Sequence, residues 1–285
     1  MANGPGNPTL AGSAGRFDEA LQRAVLALNG RRPIEAERIA AEVLKADPRH
    51  TKALHIFGCA LVIQGRAAEA VAPLETAARS RPDPEIDTEL AIALRQIGRH
   101  EDAVSRLKRA IKRKPPHADA FRELGYLLVA LVRYDEAVDV LGQGLEVAPM
   151  MPQLSIQLGY AYLSLRDCAK AKVAFARALQ IVPGSPGALF GMAKAHQEIG
   201  ENRAAADYFR RALVSKPDDQ ATWLHLGHCL LELGELDAGY DCFRTAARGP
   251  PSRYGDALSS LAASARGRFW LKPSAAARFM RREKS

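Results

Sequence analysis

The chain has few aromatic residues and no long apolar run. Aromatic residues make up only 6% of its 285 residues, so alanine and leucine must supply most of any core. An apolar run of about 18 residues, the minimum for a membrane-spanning helix, does not occur. Residues 1–15 are rich in Gly, Pro, Asn and Ser and lack the apolar segment of a secretory signal. We therefore expect residues 1–16 to be a disordered leader and the chain to have no membrane span.

The sequence also lacks the spacing of a disulfide framework and the common catalytic motifs. Its four cysteines are isolated, which favours a reducing, cytoplasmic location. No phosphate-binding loop, nucleophile elbow or HExxH motif is present. His225, His228 and Cys229 have a spacing that can place metal ligands on one helix face, but we interpret Cys229 and Cys242 as packing residues. We expect no catalytic set, no metal and no cofactor, and hence no enzyme.

Basic charge is concentrated at one end of the chain. The formal net charge is +8; residues 266–285 hold seven basic residues and one acid, which is +6 and leaves +2 for the rest. This distribution argues against a specific nucleic-acid interface on the whole molecule. Residues 267–285 also contain Phe269, Trp270 and Leu271. The tail is open to three interpretations: a helix packed on the preceding residues, a docking segment for an anionic partner or membrane surface, or a linker toward a catalytic domain.

Proline recurs along the chain at intervals of about 34 residues. The seven prolines are Pro48, Pro82, Pro115, Pro149, Pro183, Pro217 and Pro251. Because proline lacks an N–H and restricts the preceding residue, each is expected to follow the end of a helix. The period is typical of a stacked array of helix-turn-helix repeats, and such arrays present surface rather than enclose a reaction.

Three further positions recur when each repeat is numbered with its proline at position 32. Position 8 is always small: Ala24, Gly58, Ala91, Gly125, Gly159, Ala193 and Gly227. Position 24 is mostly large and apolar: Ala40, Leu74, Leu107, Leu141, Phe175, Phe209 and Phe243. We expect small residues where two helices cross and the larger ones beside that crossing. Position 15 holds Gly65, Gly98, Gly200 and Gly234, where a left-handed residue would end the first helix.

This pattern resembles the tetratricopeptide repeat family. The motif Leu54-x-x-Phe57-Gly58-x-x-Leu61 with later Ala70, Leu74, Ala77 and Pro82 carries the resemblance, and it recurs from Phe121 and from Trp223. The resemblance implies an all-α, right-handed superhelical solenoid of about seven repeats with a C-terminal capping helix. The expected repeats are 17–50, 51–83, 84–117, 118–151, 152–185, 186–219 and 220–251, followed by a capping helix at 252–266 and the basic, aromatic tail 267–285.

The same resemblance places positions 2, 5, 9 and 12 of the first helices on a concave groove. The residues it assigns to partner binding are His55, Thr88, Arg95, Arg122, Tyr126, Tyr160, Phe190, Lys194 and His228. Aromatic rings flanked by cations suit an extended peptide with acidic and apolar side chains. The sequence therefore predicts a non-catalytic scaffold or adaptor with a protein or peptide partner. The alternative is a regulatory subunit, or truncated relative, of a tetratricopeptide-repeat sulfotransferase or glycosyltransferase.

A basic run precedes the third of the seven prolines. It comprises Arg106, Lys108, Arg109, Lys112, Arg113 and Lys114. Two interpretations are open: a solvated helix face, or a contact for phosphate or an acidic partner.

Overall fold

The computed structural model describes residues 9–248 and 251–262, and within them it contains fifteen α-helices and no β-strand. Seven helices belong to a first compact unit, Met1–Arg133: α1 (Thr9–Asn29), α2 (Pro33–Ala46), α3 (Thr51–Ile63), α4 (Ala67–Ser80), α5 (Pro84–Gln96), α6 (His100–Ala110) and α7 (Ala118–Ala130). Eight belong to a second unit, Tyr134–Ser285: α8 (Tyr134–Val147), α9 (Pro152–Ser164), α10 (Cys168–Ile181), α11 (Pro186–Glu198), α12 (Asn202–Ser215), α13 (Gln220–Glu232), α14 (Leu236–Ala246) and α15 (Pro251–Ala262). The predicted all-α fold class is confirmed.

Consecutive helices pack as pairs, and the pairs stack. In the first unit α1, α3 and α5 each contact the following helix, and each also contacts the next first helix along the chain. In the second unit α9, α11 and α13 likewise contact the helix that follows each of them, and α9 also contacts α11. Nearest-neighbour packing of this kind is that of a tetratricopeptide-type solenoid. None of the helices among the described residues is long and apolar enough to cross a membrane.

The ends of the helices follow from local chemistry. Three first helices, α5, α9 and α11, begin with a proline, whose missing N–H costs nothing in a first turn. The Asp83 and Asp219 side chains cap α5 and α13 by accepting backbone N–H bonds.

Every first helix is followed by a residue with left-handed backbone geometry. The residues at position 15 all have φ between 55° and 82°: Arg31, Gly65, Gly98, Val132, Arg166, Gly200 and Gly234. The prediction for the four glycines is confirmed. The three non-glycine residues adopt the same conformation at a steric cost, which is highest for the β-branched Val132.

The core forms where position 8 meets position 24. A Cβ added to Gly58 would lie 2.4 Å from Leu74, one added to Gly159 would lie 2.6 Å from Phe175, and one added to Gly227 would lie 2.9 Å from Phe243. The three larger residues, Leu74, Phe175 and Phe243, are fully buried. Close approach therefore requires glycine at these three crossings, where the repeat pattern predicted a small residue.

The ends of the chain differ in part from the expected boundaries. Helix α1 begins at Thr9, inside the segment 1–16 assigned to a leader, although Gly12 and Gly15 are poor helix formers. Helix α15 contacts α13 and α14, and it buries Ala257 and Leu261. The predicted tail 267–285 lies outside the described residues.

Candidate binding groove

The first unit carries an open groove with a cavity of about 1160 Å³. Three consecutive first helices, α1, α3 and α5, provide most of its lining. The apolar part of that lining includes Val25, Leu28, Ile56, Cys59, Val62, Ile63, Ile86 and Ile92. Val25 is 37% exposed and Ile63 is 57% exposed. Apolar side chains that stay open to solvent within a concave surface are typical of a ligand or partner site.

The groove is lined by charged residues of both signs. Arg49 and Lys52 lie near the start of α3, and Arg81 pairs with Asp83 at 3.5 Å. On α5 the charged lining residues are both acidic, Glu85 and Glu89. The groove thus has two cations and one carboxylate, Asp47, beside the start of α3, and a wall on α5 that is acidic and apolar.

The carboxyl group of Glu89 is partly buried. Burial, together with the nearby Glu123, Glu85 and Asp119 carboxylates, raises its pKa to about 7, against a smaller opposing effect of Arg122. A hydrogen-bond donor or a cation stabilises the charged form of such a partly buried carboxyl group. Glu89 therefore titrates near neutral pH on the wall of the groove.

Two neighbouring side chains in the groove are also altered by burial. Burial lowers the pKa of His55, while Glu85 and Asp83 oppose that effect. Its Nε2 atom is buried and makes no hydrogen bond within the described residues. Burial and the Glu89 and Glu85 carboxylates raise the pKa of the Cys59 thiol well above its usual range. At neutral pH the histidine is therefore uncharged and the thiol protonated.

The structure places the predicted groove residues unevenly. His55 lines the cavity of the first unit. The prediction for Thr88 is wrong: this residue is only 2% exposed, and its hydroxyl donates to the Pro84 carbonyl oxygen one turn earlier. A buried hydroxyl satisfied by its own helix offers no surface to a partner.

Three other predicted residues of the first unit form a cluster of their own. The Arg95 guanidinium lies 5.1 Å from the centre of the Tyr126 ring and 3.7 Å from Glu123. Arg122 contacts Glu123 at 2.7 Å and Asp119 at 2.9 Å. Both arginines are therefore engaged within the chain, while Tyr126 remains 49% exposed. Of the cluster, the tyrosine ring offers the most surface to a partner.

In the second unit, predicted aromatic residues fill space rather than line a wide groove. Tyr160 and Phe190 share a small cavity of about 220 Å³ with Asp219 and Thr222. The Tyr160 hydroxyl donates to the Gly187 carbonyl oxygen at 3.1 Å, and burial together with Asp219 raises its pKa to about 12. Phe190 packs edge-on against Phe209, with ring centres 5.5 Å apart.

Lys194 and His228 are likewise engaged within the second unit. Lys194 lies 3.5 Å from Glu198, and the His228 ring packs edge-on against Phe243. Cys229 and Cys242 are buried, and burial is the main cause that raises their pKa values to about 11 and about 12. Their burial agrees with a packing role.

The basic run that ends at Lys114 has a third explanation that the sequence did not suggest. Asp87 on α5 is 1% exposed, and three arginines surround its carboxylate. The distances are 3.4 Å to Arg106, 3.5 Å to Arg109 and 3.1 Å to Arg113. These side chains neutralise a buried charge and tie α6 and the residues after it to α5.

Sequence reasoning missed Glu89, Ile56 and Ile92 as lining residues. Glu89 and Ile56 occupy position 6, next to the position 5 that was assigned to the groove. The signal for Glu89 was weak, because α5 also carries the charged residues Glu85, Asp87 and Arg95.

Comparisons with known proteins agree with this architecture. A family model described as tetratricopeptide repeat matches residues 21–84, 88–141 and 190–254, more than half of the chain. A sequence search of curated proteins finds no match.

Solved structures provide further similarity in fold. PilF of Pseudomonas aeruginosa superposes with a TM-score of 0.63 at 19% identity, over 73% of this chain and 96% of that one. TTC0263, a thermophilic TPR protein of Thermus thermophilus, gives 0.53 at 24% identity over 64% and 99%. Human IFIT1, in a dimer with PPP-AAAA, gives 0.65 at 18% identity over 86% and 62%. At these identities the similarity concerns the fold alone. With the family match and the stacked helix pairs, it leads to one conclusion: the chain belongs to the tetratricopeptide repeat family.

Proposed function

We propose that this protein is a non-catalytic interaction protein that holds an extended segment of a protein partner in the groove lined by α1, α3 and α5. Tetratricopeptide repeat proteins generally mediate protein–protein interactions. The observation that carries the proposal is the open cavity of about 1160 Å³ with exposed apolar side chains in its wall. An extended peptide buries such side chains while its own backbone stays solvated.

The chemical state of the groove supports binding rather than catalysis. The Cys59 thiol has a raised pKa, so little thiolate is present to act as a nucleophile. His55 lies beside it, but burial lowers its pKa and the two make no hydrogen bond that would form a nucleophile–base pair within the described residues.

The proposal can be tested with peptides and two matched double variants. Peptides are selected on the wild-type protein from a random display library, and their affinities are measured by fluorescence anisotropy. Val25→Ala with Ile63→Ala removes exposed apolar area from the groove. Each lost contact of this kind is worth about 1 kcal/mol, so we expect the double variant to weaken binding about tenfold or more.

The control carries the same chemical changes outside the groove. Val173 and Ile34 are each 72% exposed, and neither lines the cavity of the first unit. Val173→Ala with Ile34→Ala should leave the affinity unchanged. If no peptide is selected, or if both double variants bind the selected peptides as the wild type does, the groove is not the binding surface.

A further inference from the structure

We infer that the partner segment presents a lysine or arginine side chain to Glu85 and Glu89 of α5, with apolar side chains next to it. This inference rests on the proposed function, since it names the chemistry of the segment held in the groove. It also differs from the sequence-based expectation of a segment with acidic side chains.

The first argument is the makeup of the α5 wall. Its lining residues are Glu85, Ile86, Glu89, Ile92 and Gln96. Spacings of three and four residues place them on one face of the helix, where the partly exposed Ile92 lies one turn after Glu89 and Ile86 is buried beneath the glutamates. A side chain with a cationic end and an apolar stem, or a cationic residue with apolar neighbours, matches this arrangement.

The second argument is that Glu89 differs from the other buried or partly buried carboxylates nearby. Asp87 is contacted by three arginines, and Glu123 is contacted by Arg95 and Arg122. Within the described residues Glu89 makes no hydrogen bond and no ion pair. Carboxylates taken out of water are normally paired with a cation. In the groove, that cation can come from the partner.

The third argument concerns the positive charges of the groove. Arg81 is paired with Asp83, and Arg49 and Lys52 lie near the start of α3. They leave the α5 wall acidic and apolar. A cation of the partner is therefore attracted to the glutamates of α5.

The test uses the peptides selected for the groove. Each selected peptide is synthesised as selected, with its basic residue replaced by norleucine, and with that residue replaced by glutamate. Affinities are measured at pH 8 for the wild type, for Glu89→Gln and for Glu19→Gln. Glu19 is an exposed residue of α1 outside the groove lining, so its variant has the same change in net charge.

We expect norleucine to weaken binding to the wild type and to Glu19→Gln about tenfold, the usual value of a hydrogen bond between charged groups. Against Glu89→Gln the same replacement should have a clearly smaller effect, because Glu89 is one of the two carboxylates that the cation contacts. Glu85→Gln, at an exposed position, gives a second variant with a smaller loss and little effect on folding.

The outcomes separate this inference from the proposed function. Selected peptides that depend on Val25 and Ile63 but contain no basic residue would overturn the inference and leave the proposed function standing. An equal effect of norleucine on the wild type and on Glu89→Gln would do the same. Peptides whose binding is unaffected by the groove variants would overturn both.

Discussion

The two units carry the same helix pairs but present different faces to a partner. In the first unit, α1, α3 and α5 line a cavity of about 1160 Å³, whereas the cavity beside Tyr160 and Phe190 in the second measures about 220 Å³. Position 9 illustrates the cause, because it holds Cys59 in the second repeat and Tyr160 in the fifth. In the fifth repeat the Tyr160 ring occupies space that the smaller Cys59 leaves open in the second.

The units also differ in how they treat polar groups. The first unit buries carboxylates, of which Asp87 and Glu123 are paired with arginines. The second unit packs rings: Tyr160 against Phe175, and Phe190 against both Phe209 and His225. Proton uptake at carboxylates should therefore matter more in the first unit, and ring packing more in the second.

The largest expected effect on stability comes from removing the Phe190 ring from this face of the second unit. Phe190→Ala removes a ring that contacts Phe209 and His225, and we expect a loss of about 3 kcal/mol in the free energy of unfolding. Burial, followed by the charges of Lys194 and His228, lowers the pKa of His225 to about 4. Water admitted by the variant should raise that pKa, which NMR titration of the histidine ring can follow.

The control for this variant lies in the first unit. The affinity of groove-binding peptides should stay within about twofold of the wild type in Phe190→Ala, because Phe190 does not line their groove. An unchanged His225 pKa together with an unchanged free energy of unfolding would show that the ring does not fill this face.

The next effect concerns the helix crossing beneath the same face. Gly159→Ala places a Cβ about 2.6 Å from the Phe175 ring, and we expect a loss of about 2 kcal/mol, measured by chemical denaturation. Phe175→Leu in the same chain should recover part of that loss, since a smaller side chain leaves room for the methyl group. If the double variant is no more stable than the sum of the two single changes predicts, the glycine and the ring are not coupled.

This crossing is among the features that the sequence alone predicted well. Helix pairs, the small residue at position 8, its large partner at position 24 and the left-handed glycines at position 15 all follow from a strict period. They depend on backbone approach and turn geometry, which are the same in each repeat. Gly159 and Phe175 could therefore be paired before any coordinates were known.

The side chains that line the candidate groove were harder to predict, because long polar side chains contact partners with no fixed spacing along the chain. Thr88 bonds to its own helix and is buried, and Arg122 pairs with Glu123 rather than remaining available. Arg113, which follows the end of α6, contacts Asp87 on α5. The contacts of long polar side chains depend on which charged groups are buried nearby, and a repeat pattern does not predict where those groups lie.

The acidic wall of the first unit gives a prediction for pH. The pKa of Glu89 is raised to about 7 in the folded protein, above its usual 4.5, so the folded state holds this proton more tightly than the unfolded state. The contribution of this proton to the free energy of unfolding is complete below pH 4.5 and is lost as the pH rises through about 7. Relative to the wild type, Glu89→Gln should therefore be more stable at pH 8 than at pH 5. We expect the difference in the free energy of unfolding between the two proteins to change by on the order of 2 kcal/mol between these pH values.

Comparison with the variant removes the contribution of other groups. His55 and His228 have lowered pKa values, so they act with the opposite sign and lose stability as the pH falls. They are present in both proteins and cancel in the difference. Denaturation midpoints of the two proteins that stay parallel from pH 5 to pH 8 would contradict a raised pKa at Glu89.

The smallest expected effects compare one turn position across the two units. Val132 in the first unit and Arg166 in the second have φ of 63° and 61°, a geometry that suits glycine. Val132→Gly should raise the free energy of unfolding by about 1 kcal/mol, because valine is β-branched and its side chain is largely exposed. Arg166→Gly should gain less, since arginine is unbranched at Cβ and contacts Glu198 at 2.6 Å.

The reverse substitution checks that backbone strain is the cause. Gly65 has φ of 77°, and no atom would lie within 4 Å of an added Cβ, so Gly65→Ala tests conformation without a steric clash. We expect it to lose about 1 kcal/mol in chemical denaturation. A gain for Val132→Gly combined with a loss for Gly65→Ala assigns both effects to the left-handed geometry. A loss for both would mean that the Val132 side chain stabilises the fold by packing despite its exposure. Val132→Gly would then be less favourable for stability than Arg166→Gly, the reverse of the order expected here.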